Sequence, residues 1–255
     1  MSSAYSQARI HHYQSSPTPR KPLKSPSRPI ALQQNYITNT KTTLVLIPPH
    51  SDASRSATAY TVKDHQDVQN TLFTASGYNY NDGRCREFRD TSGLPLFELH
   101  RKILSLRSTW VITLPGNGDT TNRGGSGSDS GSGSNVLATG SPRFAPAFGN
   151  FSLRLRNAAA VDGDGKGEEE EKKEVTLVVE RHGRVLQSFD VIDGDRRVAE
   201  VRESVQHNDK LALRAGSRRG YRPAMDIVVT SGVDVALIVA IAIIASDSVF
   251  GSSSG

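Results

Sequence analysis

The sequence predicts a mainly β fold, an antiparallel sandwich or barrel, and three observations support this prediction. The chain has 255 residues, which is enough for one large β domain. Many short segments alternate apolar and polar side chains, as residues 151–156 do. Glycine-containing turn sequences, such as residues 90–93 and 181–184, separate several of these segments. This spacing is typical of antiparallel strands and leaves little room for the helices of βαβ repeats.

Eleven segments are predicted to be strands, because many of them are short and alternate apolar with polar residues, and turn-forming residues separate several of them. They are residues 43–47, 71–75, 84–89, 95–100, 109–114, 148–156, 175–180, 185–191, 197–202, 210–214 and 224–230.

One segment near the C-terminus breaks the strand pattern. Residues 235–245 are consecutive apolar residues, too few for a membrane span, which needs about eighteen or more. Ser231 and Asp234 just before them have the form of a helix capping box, and a carboxylate suits the positive end of a helix dipole. We predict a buried helix over residues 232–249 at the centre of the core. A long buried strand is the alternative, because Ile and Val favour strands.

Three low-complexity stretches determine the predicted domain organisation. Residues 1–51 are expected to be a disordered basic tail rich in Pro and Ser. One domain is expected over residues 52–250, with flexible insertions at 115–142 and 157–174. Segments of this composition bury too little apolar area to offset the entropy lost on ordering. Long loops add little closure entropy, so both insertions can interrupt one domain without splitting it.

The net charge of +5 comes from the tail and not from the predicted domain. Residues 1–51 contain six basic and no acidic residues, whereas the rest of the chain is nearly neutral. A nucleic-acid-binding domain would carry its basic excess on its folded part, so no nucleic-acid partner is expected. The N-terminus lacks the apolar stretch of a secretory signal, and we expect a cytoplasmic protein without a transmembrane span. Mitochondrial import is a lesser alternative, because the tail lacks acidic residues.

A longer motif is more specific than these patterns. Residues 90–110 are DTSGLPLFELHRKILSLRSTW. They resemble the signature of the LURP-one-related family, in which an Asp-x-x-Gly turn precedes Pro-Leu-Phe-x-Leu, Arg-Lys-x-Leu-Ser-Leu and a tryptophan. Residues 221–248, which include the sequence GVDVALI, resemble that family's closing strand and helix. The resemblance extends over roughly residues 55–250.

The resemblance implies the tubby C-terminal fold, a closed antiparallel β-barrel around one central hydrophobic C-terminal α-helix. It therefore favours the helix over the strand for the C-terminal apolar segment. Phe97 and Leu99 would then face this helix, whereas Glu98 and His100 would face outwards, because side chains alternate along a strand. Trp110 is expected in the core or at the rim of the barrel.

Two clusters of basic residues are the candidate binding sites. The first surrounds apolar residues in the family motif and consists of Arg101, Lys102 and Arg107. The second consists of Arg214, Arg218, Arg219 and Arg222. Clustered Lys and Arg can bind anionic lipid headgroups, at about 1 kcal/mol per residue near such a surface. Tubby proteins, which share the implied fold, bind phosphoinositides, but no motif here matches their binding residues. Ordinary solvated surface charge is the alternative.

Motifs for catalysis or for a cofactor are absent from the sequence. It contains no Gly-x-Ser-x-Gly elbow, Walker loop or His-Glu-x-x-His motif, so no enzyme activity and no cofactor are expected. Residues 162–173 begin like a calcium loop, but Lys166 and Lys173 occupy positions that need oxygen ligands. The single cysteine, Cys85, excludes a disulfide and a cysteine-based zinc site, so no metal is expected. Its arginine neighbours would lower its pKa if it were exposed, although an inert core cysteine is more usual in a strand.

These observations predict a non-enzymatic intracellular module that binds anionic phospholipid or phosphoinositide at a membrane surface. The alternative is a protein-interaction scaffold with partners bound through a phosphorylated tail. Ser16, Thr18 and Ser25 are each followed by proline, as in proline-directed phosphorylation sites.

Overall fold

The computed structural model describes residues 20–48, 60–77, 85–104, 107–116, 135–143, 150–160, 173–182, 186–208 and 221–250. Twelve strands and one α-helix are found in these ranges. The strands are β1 Thr42–Ile47, β2 Tyr60–Asp64, β3 Thr71–Gly77, β4 Arg86–Asp90, β5 Pro95–Leu104, β6 Arg107–Thr113, β7 Val136–Pro142, β8 Phe151–Arg156, β9 Glu174–His182, β10 Ser188–Asp193, β11 Arg196–Glu203 and β12 Met225–Val229. The helix α1 is Val235–Phe250, and a short 3-10 turn lies at Gln34–Tyr36.

The twelve strands form one closed antiparallel barrel. Each strand pairs with the next along the chain, and β1 also pairs with β12, so that Leu44 lies opposite Ile227. Closure removes the exposed edges that an open sheet would present. The barrel prediction is confirmed, and the alternative of a sandwich is excluded.

Helix α1 fills the interior of this barrel. Side chains alone just fill a barrel of about eight strands, so twelve strands leave space along the axis. Every residue from Ala236 to Ala245 is completely buried, and these residues form one core with inward-facing side chains such as Phe97 and Leu99. A helix that is apolar on all sides is stable only when protein surrounds it. The predicted helix is therefore confirmed, and a buried strand over this segment is ruled out.

Two strands form where none was predicted. β2 is short and mixed in composition, although Tyr60 and Val62 alternate with polar residues and are buried. β7 lies at the end of the predicted insertion 115–142. It was assigned to that insertion because its Ala, Gly and Ser residues are typical of a loop. A side chain at Gly140 would meet Leu153 at 3.3 Å and Trp110 at 3.5 Å, so the strand needs a small residue there. The predicted strand at 210–214 lies outside the described residues.

The barrel begins before the predicted boundary at residue 52. β1 lies within the predicted tail. The predicted boundary was placed where the charge of the sequence changes, and a change in charge does not show where packing begins. Residues upstream of β1 also contact the barrel: Leu23 bridges to Arg197, and the fully buried Ile30 bridges to Val233. Residues 1–19 of the predicted tail lie outside the described residues, as do residues 161–172 of the second predicted insertion.

Asp234 is the residue that caps α1. Its Oδ1 accepts hydrogen bonds from the backbone N–H groups of Ala236 at 2.8 Å and Leu237 at 3.1 Å. Its Oδ2 accepts from Leu32 at 3.0 Å and Gln33 at 2.9 Å, which fixes the N-terminal segment across the start of the helix. The hydroxyl of Ser231, predicted to take part in the cap, instead lies 2.7 Å from the hydroxyl of Ser25.

Candidate functional site

The two ends of the barrel are built from different parts of the chain. We call the end at which α1 begins the proximal end; the N-terminal segment before β1 closes it. We call the end at which α1 finishes the distal end. Because the strands alternate in direction, the β5–β6 hairpin and the connection between β11 and β12 both lie at the distal end. Both predicted basic clusters belong to these two segments.

A buried charge cluster surrounds Asp247, near the end of α1. Arg86, which is completely buried inside the barrel, donates from Nε to Asp247 Oδ2 at 2.9 Å. Arg222 also donates to this carboxylate, and the Tyr60 hydroxyl donates to Oδ1 at 2.7 Å. Burial, followed by the nearby charge of Asp247, raises the pKa of Tyr60, so this phenol stays protonated and remains a donor. Two guanidinium groups thus share one carboxylate at the negative end of the helix dipole, which favours positive charge.

Arg101 of the first basic cluster has a side chain that packs at the rim. It pairs across the strands with Trp110, and its guanidinium lies 6.0 Å from the centre of the indole ring. Trp110 is buried, as expected, and its ring lies 5.6 Å from that of Phe151. Lys102 is the next residue of β5, and Arg107 begins β6 on the other side of the hairpin turn. The backbone therefore brings all three residues to the distal end.

The second basic cluster is described only in part. The Arg222 side chain is 20% exposed, and its guanidinium contacts Asp247 and Tyr60. Arg214, Arg218 and Arg219 lie outside the described residues. The chain on either side of them is fixed at the distal end, because Tyr221 donates to Asn208 Oδ1 at 2.9 Å. Asn208 in turn donates to the carbonyl oxygen of Ala224 at 2.8 Å. The Asn208 side chain therefore joins the two ends of the connection between β11 and β12.

Two apolar side chains at the distal end are open to solvent. Val205, just after β11, is 71% exposed, and Leu186, just before β10, is 41% exposed. Both border a surface cavity of about 490 Å³ on the outside of the barrel. The cavity is lined by carboxylates from Glu200, Glu203 and Asp226 as well as by arginines, so it does not present a single sign of charge.

A different group of chemically active side chains meets on the outer surface of β4 and β5. The sequence predicts that Glu98 and His100 face outwards; they do point away from α1, but they are only 9% and 6% exposed. Cys85 joins them, and one ligand atom from each of the three residues lies within 4.8 Å of the others. Burial, followed by the negative charge of Glu98, raises the pKa of the Cys85 thiol. The expected lowering by neighbouring arginines is not found, because Arg86 points into the barrel towards Asp247.

Sequence analysis did not identify the charge cluster at Asp247 or the cluster at Cys85. Asp247 and Arg86 are 161 positions apart, and only the barrel brings them together. The cluster at Cys85 depends on strand register, because extending the Arg86–Leu99 pairing by one residue places Cys85 opposite His100. The spacing of Glu98 and His100 on one face of a predicted strand was the only available signal.

Within the part of the chain that is described, no helix combines the length and the apolar character needed to cross a membrane.

Comparison with known proteins identifies the family. No curated protein shows a significant sequence match to this chain. Among solved structures, the X-ray structure of a protein from Arabidopsis thaliana is similar, with 14% sequence identity and a TM-score of 0.46. The similarity covers 86% of this chain and 97% of the Arabidopsis chain. The family model described as LURP-one-related matches residues 50–246, which is most of the barrel, and the chain therefore belongs to the LURP-one-related family.

Proposed function

We propose that this protein is a non-enzymatic module that binds anionic phospholipid or phosphoinositide at the cytoplasmic surface of a membrane, through the distal end of its barrel. The observation that carries this proposal is topological. The chain segments that contain the two basic clusters, which are far apart in the sequence, leave the barrel at the same end. The LURP-one-related family is not a known enzyme family, which agrees with a binding role.

The number of cations supports binding of useful strength. Arg101 and Arg222 have structural contacts with Trp110 and Asp247, so we assign the lipid contacts chiefly to the other members of the two clusters. These are Lys102, Arg107, Arg214, Arg218 and Arg219. At about 1 kcal/mol for each residue near an anionic surface, they supply roughly 5 kcal/mol, which corresponds to a dissociation constant of order 0.1 mM.

Apolar side chains are exposed at the distal end, as Leu94, Leu114 and Val136 are at the proximal end. Val205 and Leu186 lie on connections at the distal end, where they can enter the interface between lipid headgroups and acyl chains. Burial of apolar area stabilises such contacts by about 25 cal/mol per Å², and electrostatic attraction to anionic lipid acts together with it. A membrane offers both kinds of contact over one surface.

Co-sedimentation of the full-length protein with vesicles tests the proposal. Vesicles of phosphatidylcholine alone are compared with vesicles that also contain phosphatidylserine or a phosphoinositide. We expect binding only to the anionic vesicles, and we expect it to weaken as salt is raised, because salt screens exposed charges. Reversal of two charges in the hairpin, Lys102→Glu with Arg107→Glu, is expected to weaken binding at least about tenfold.

A matched pair of charge reversals at the proximal end provides the control. Lys41 and Arg156 are exposed, and each lies at the proximal end of a strand. Lys41→Glu with Arg156→Glu changes the net charge by the same amount, and this variant is expected to bind almost as the unmodified protein does. Equal loss in both double variants would indicate attraction to net charge only. No binding to any vesicle at low salt would reject the proposed function.

A role in protein interaction is a second candidate, and the position of Ser25 favours it. Ser25 precedes a proline, its hydroxyl lies on the surface 2.7 Å from that of Ser231, and Arg196 donates to its carbonyl oxygen at 3.1 Å. A phosphate there would break the contact with Ser231 and attract Arg196. Affinity capture with the unmodified chain and with Ser25→Asp would reveal partners that depend on this charge. An identical set of partners would contradict regulation at this site.

A further inference from the structure

The outer surface of β4 and β5 brings together three side chains of the types that bind transition metals. Glu98 and His100 are two residues apart on β5, so both lie on the same face of the strand. Cys85 immediately precedes β4, opposite His100. One thiol sulfur, one carboxylate oxygen and one imidazole nitrogen therefore converge on a common point, all within 4.8 Å of one another.

These distances are close to those of a tetrahedral metal centre. Zinc binds nitrogen or oxygen at about 2.0 Å and sulfur at about 2.3 Å, which separates its ligand atoms by about 3.3–3.6 Å. His100 Nε2 lies 3.1 Å from Glu98 Oε2, and the sulfur of Cys85 needs to move by little more than an ångström. Rotation about the side-chain bonds of Cys85 can supply such a movement without a change in strand pairing.

A neighbouring backbone group already orients one of the ligands. The backbone N–H of Gly116 donates to Glu98 Oε1 at 2.9 Å, which leaves Oε2 directed at His100. Contacts of this kind, from groups that do not themselves bind the metal, commonly fix the orientation of metal ligands. The hydroxyl of Thr113 lies 3.1 Å from His100 Nε2, the nitrogen that faces Glu98, so a metal bound there would replace this contact.

The local charge also favours a cation. Glu87 lies opposite Glu98 across the strands, so two carboxylates lie near the thiol, although that of Glu87 also pairs with Arg89 at 2.6 Å. Their negative charge disfavours a thiolate ion on its own, and the same charge attracts a divalent cation. A bound metal would compensate the buried carboxylate of Glu98 and the ionised sulfur together.

A second histidine–carboxylate pair shows what distinguishes this cluster. His182 Nε2 lies 3.2 Å from Asp190, on the outside of β9 and β10. That carboxylate is already bonded to Arg20 and Arg197, which repel a cation, and the chain has no second cysteine. The histidine–carboxylate distance is the same within 0.1 Å, but the charge and the donor atoms differ.

We propose that Cys85, Glu98 and His100 form a binding site for a divalent transition metal with the ligand preference of zinc. A site built from several cysteines is excluded by the single Cys85, but one thiolate combined with imidazole and carboxylate is a ligand set that zinc accepts. On binding, the Cys85 Sγ–H bond breaks, its proton passes to solvent and a sulfur–metal bond forms. Affinity therefore rises with pH up to the pKa of the thiol.

Titration of the full-length protein with Co²⁺ tests the proposal, because cobalt takes zinc sites and gives visible and ultraviolet absorption. A thiolate-to-cobalt charge-transfer band can come only from Cys85, the single cysteine. We expect this band in the unmodified protein, its loss in Cys85→Ser, and at least tenfold weaker cobalt binding in His100→Gln. Addition of Zn²⁺ should remove the band by displacing cobalt.

The matched control is His182→Gln, which alters the other histidine–carboxylate pair. We expect it to leave the charge-transfer band and the cobalt affinity unchanged. Circular dichroism of each variant establishes that the barrel is folded. A folded unmodified protein that gives no charge-transfer band at millimolar Co²⁺ would overturn the proposal. A band that His100→Gln and His182→Gln weaken equally would overturn it as well.

Discussion

The two ends of α1 each bury a carboxylate, and these carboxylates are satisfied in opposite ways. At the proximal end, Asp234 accepts four hydrogen bonds from backbone N–H groups. At the distal end, Asp247 accepts from the side chains of Arg86, Arg222 and Tyr60. The start of a helix offers unpaired N–H groups and positive potential, so an acidic residue needs no other partner there. The end of a helix offers neither, and an acidic residue there requires cations from other parts of the chain.

The comparison also shows which groups each carboxylate brings to its end of the barrel. The cap at Asp234 uses the backbone and brings no additional cation to the proximal end. The cluster at Asp247 brings two guanidinium groups, those of Arg86 and Arg222, to the distal end. This is the end at which both basic sequence clusters leave the barrel.

Removal of the charge on Asp247 is expected to have the largest effect. Asp247→Asn preserves the shape of the side chain but removes the carboxylate with which the buried Arg86 forms an ion pair. Loss of one partner from a buried ion pair costs about 3–5 kcal/mol, and we expect a decrease of this size in the free energy of unfolding. Urea denaturation would measure it. A decrease below 1 kcal/mol would show that solvent reaches the cluster and that the two ends differ less than described.

Asp234→Asn is expected to have an intermediate effect. Asparagine has one carbonyl oxygen where aspartate has two acceptors, so it can keep either the two helix bonds or the two bonds to Leu32 and Gln33. We expect a loss of about 1–2 kcal/mol in the free energy of unfolding, as for other helix caps. Hydrogen exchange should also become faster at the amides of Leu32 and Gln33 or at those of Ala236 and Leu237.

Asp195→Asn is the control for the cap, because the Asp195 side chain is 94% exposed. The free energy of unfolding of this variant should differ from that of the unmodified protein by less than about 0.5 kcal/mol. If Asp234→Asn left exchange unchanged at all four amides, the role of this carboxylate in joining the N-terminal segment to the helix would be contradicted.

Arg222→Gln separates the two cations of the distal cluster and is expected to have a smaller effect. Arg86 still pairs with Asp247 in this variant, and the Arg222 side chain is partly exposed. We expect a loss of about 1 kcal/mol, because water at this partly exposed position can replace part of its hydrogen bonding to Asp247 and Tyr60. Thermal and urea denaturation should rank Arg222→Gln well above Asp247→Asn in stability. Equal losses would show that the cluster needs both guanidinium groups.

The smallest expected effect is a dependence on alkaline pH at the proximal end. Tyr36 donates to Asp90 at 3.0 Å, and burial, followed by this hydrogen bond, raises the pKa of Tyr36 to about 12. Its pKa in the folded protein is thus above the unfolded value of 10.0. The stabilisation is therefore complete below about pH 10 and is lost as the pH rises towards 12. Urea denaturation between pH 9 and 12 should show this loss together with that of Tyr60, whose pKa is also raised, and Tyr36→Phe should make this part of the profile less steep.

Sequence reasoning identified the elements whose signal is local. The apolar run at residues 235–245 predicted the helix, and alternation predicted most strands. β7 was missed because packing of Gly140 between Trp110 and Leu153 requires a small residue where strand propensity would favour a large one. The candidate sites depended on pairing across the barrel. Neither the partners of Asp247 nor the meeting of Cys85 with His100 is encoded by spacing along the chain.

The pairing of β1 with β12 has a consequence for synthesis of the protein. The ribosome produces Thr42–Ile47 before ten other strands of the barrel, yet one of its two neighbours, Met225–Val229, is the last strand of the barrel to be made. Until then, β1 lacks this partner and α1, which fills the interior, has not yet formed. Contacts so distant in sequence slow folding and leave unpaired strand edges exposed to aggregation. The nascent chain is therefore most exposed to aggregation after β11 has been made and before β12 and α1 have emerged.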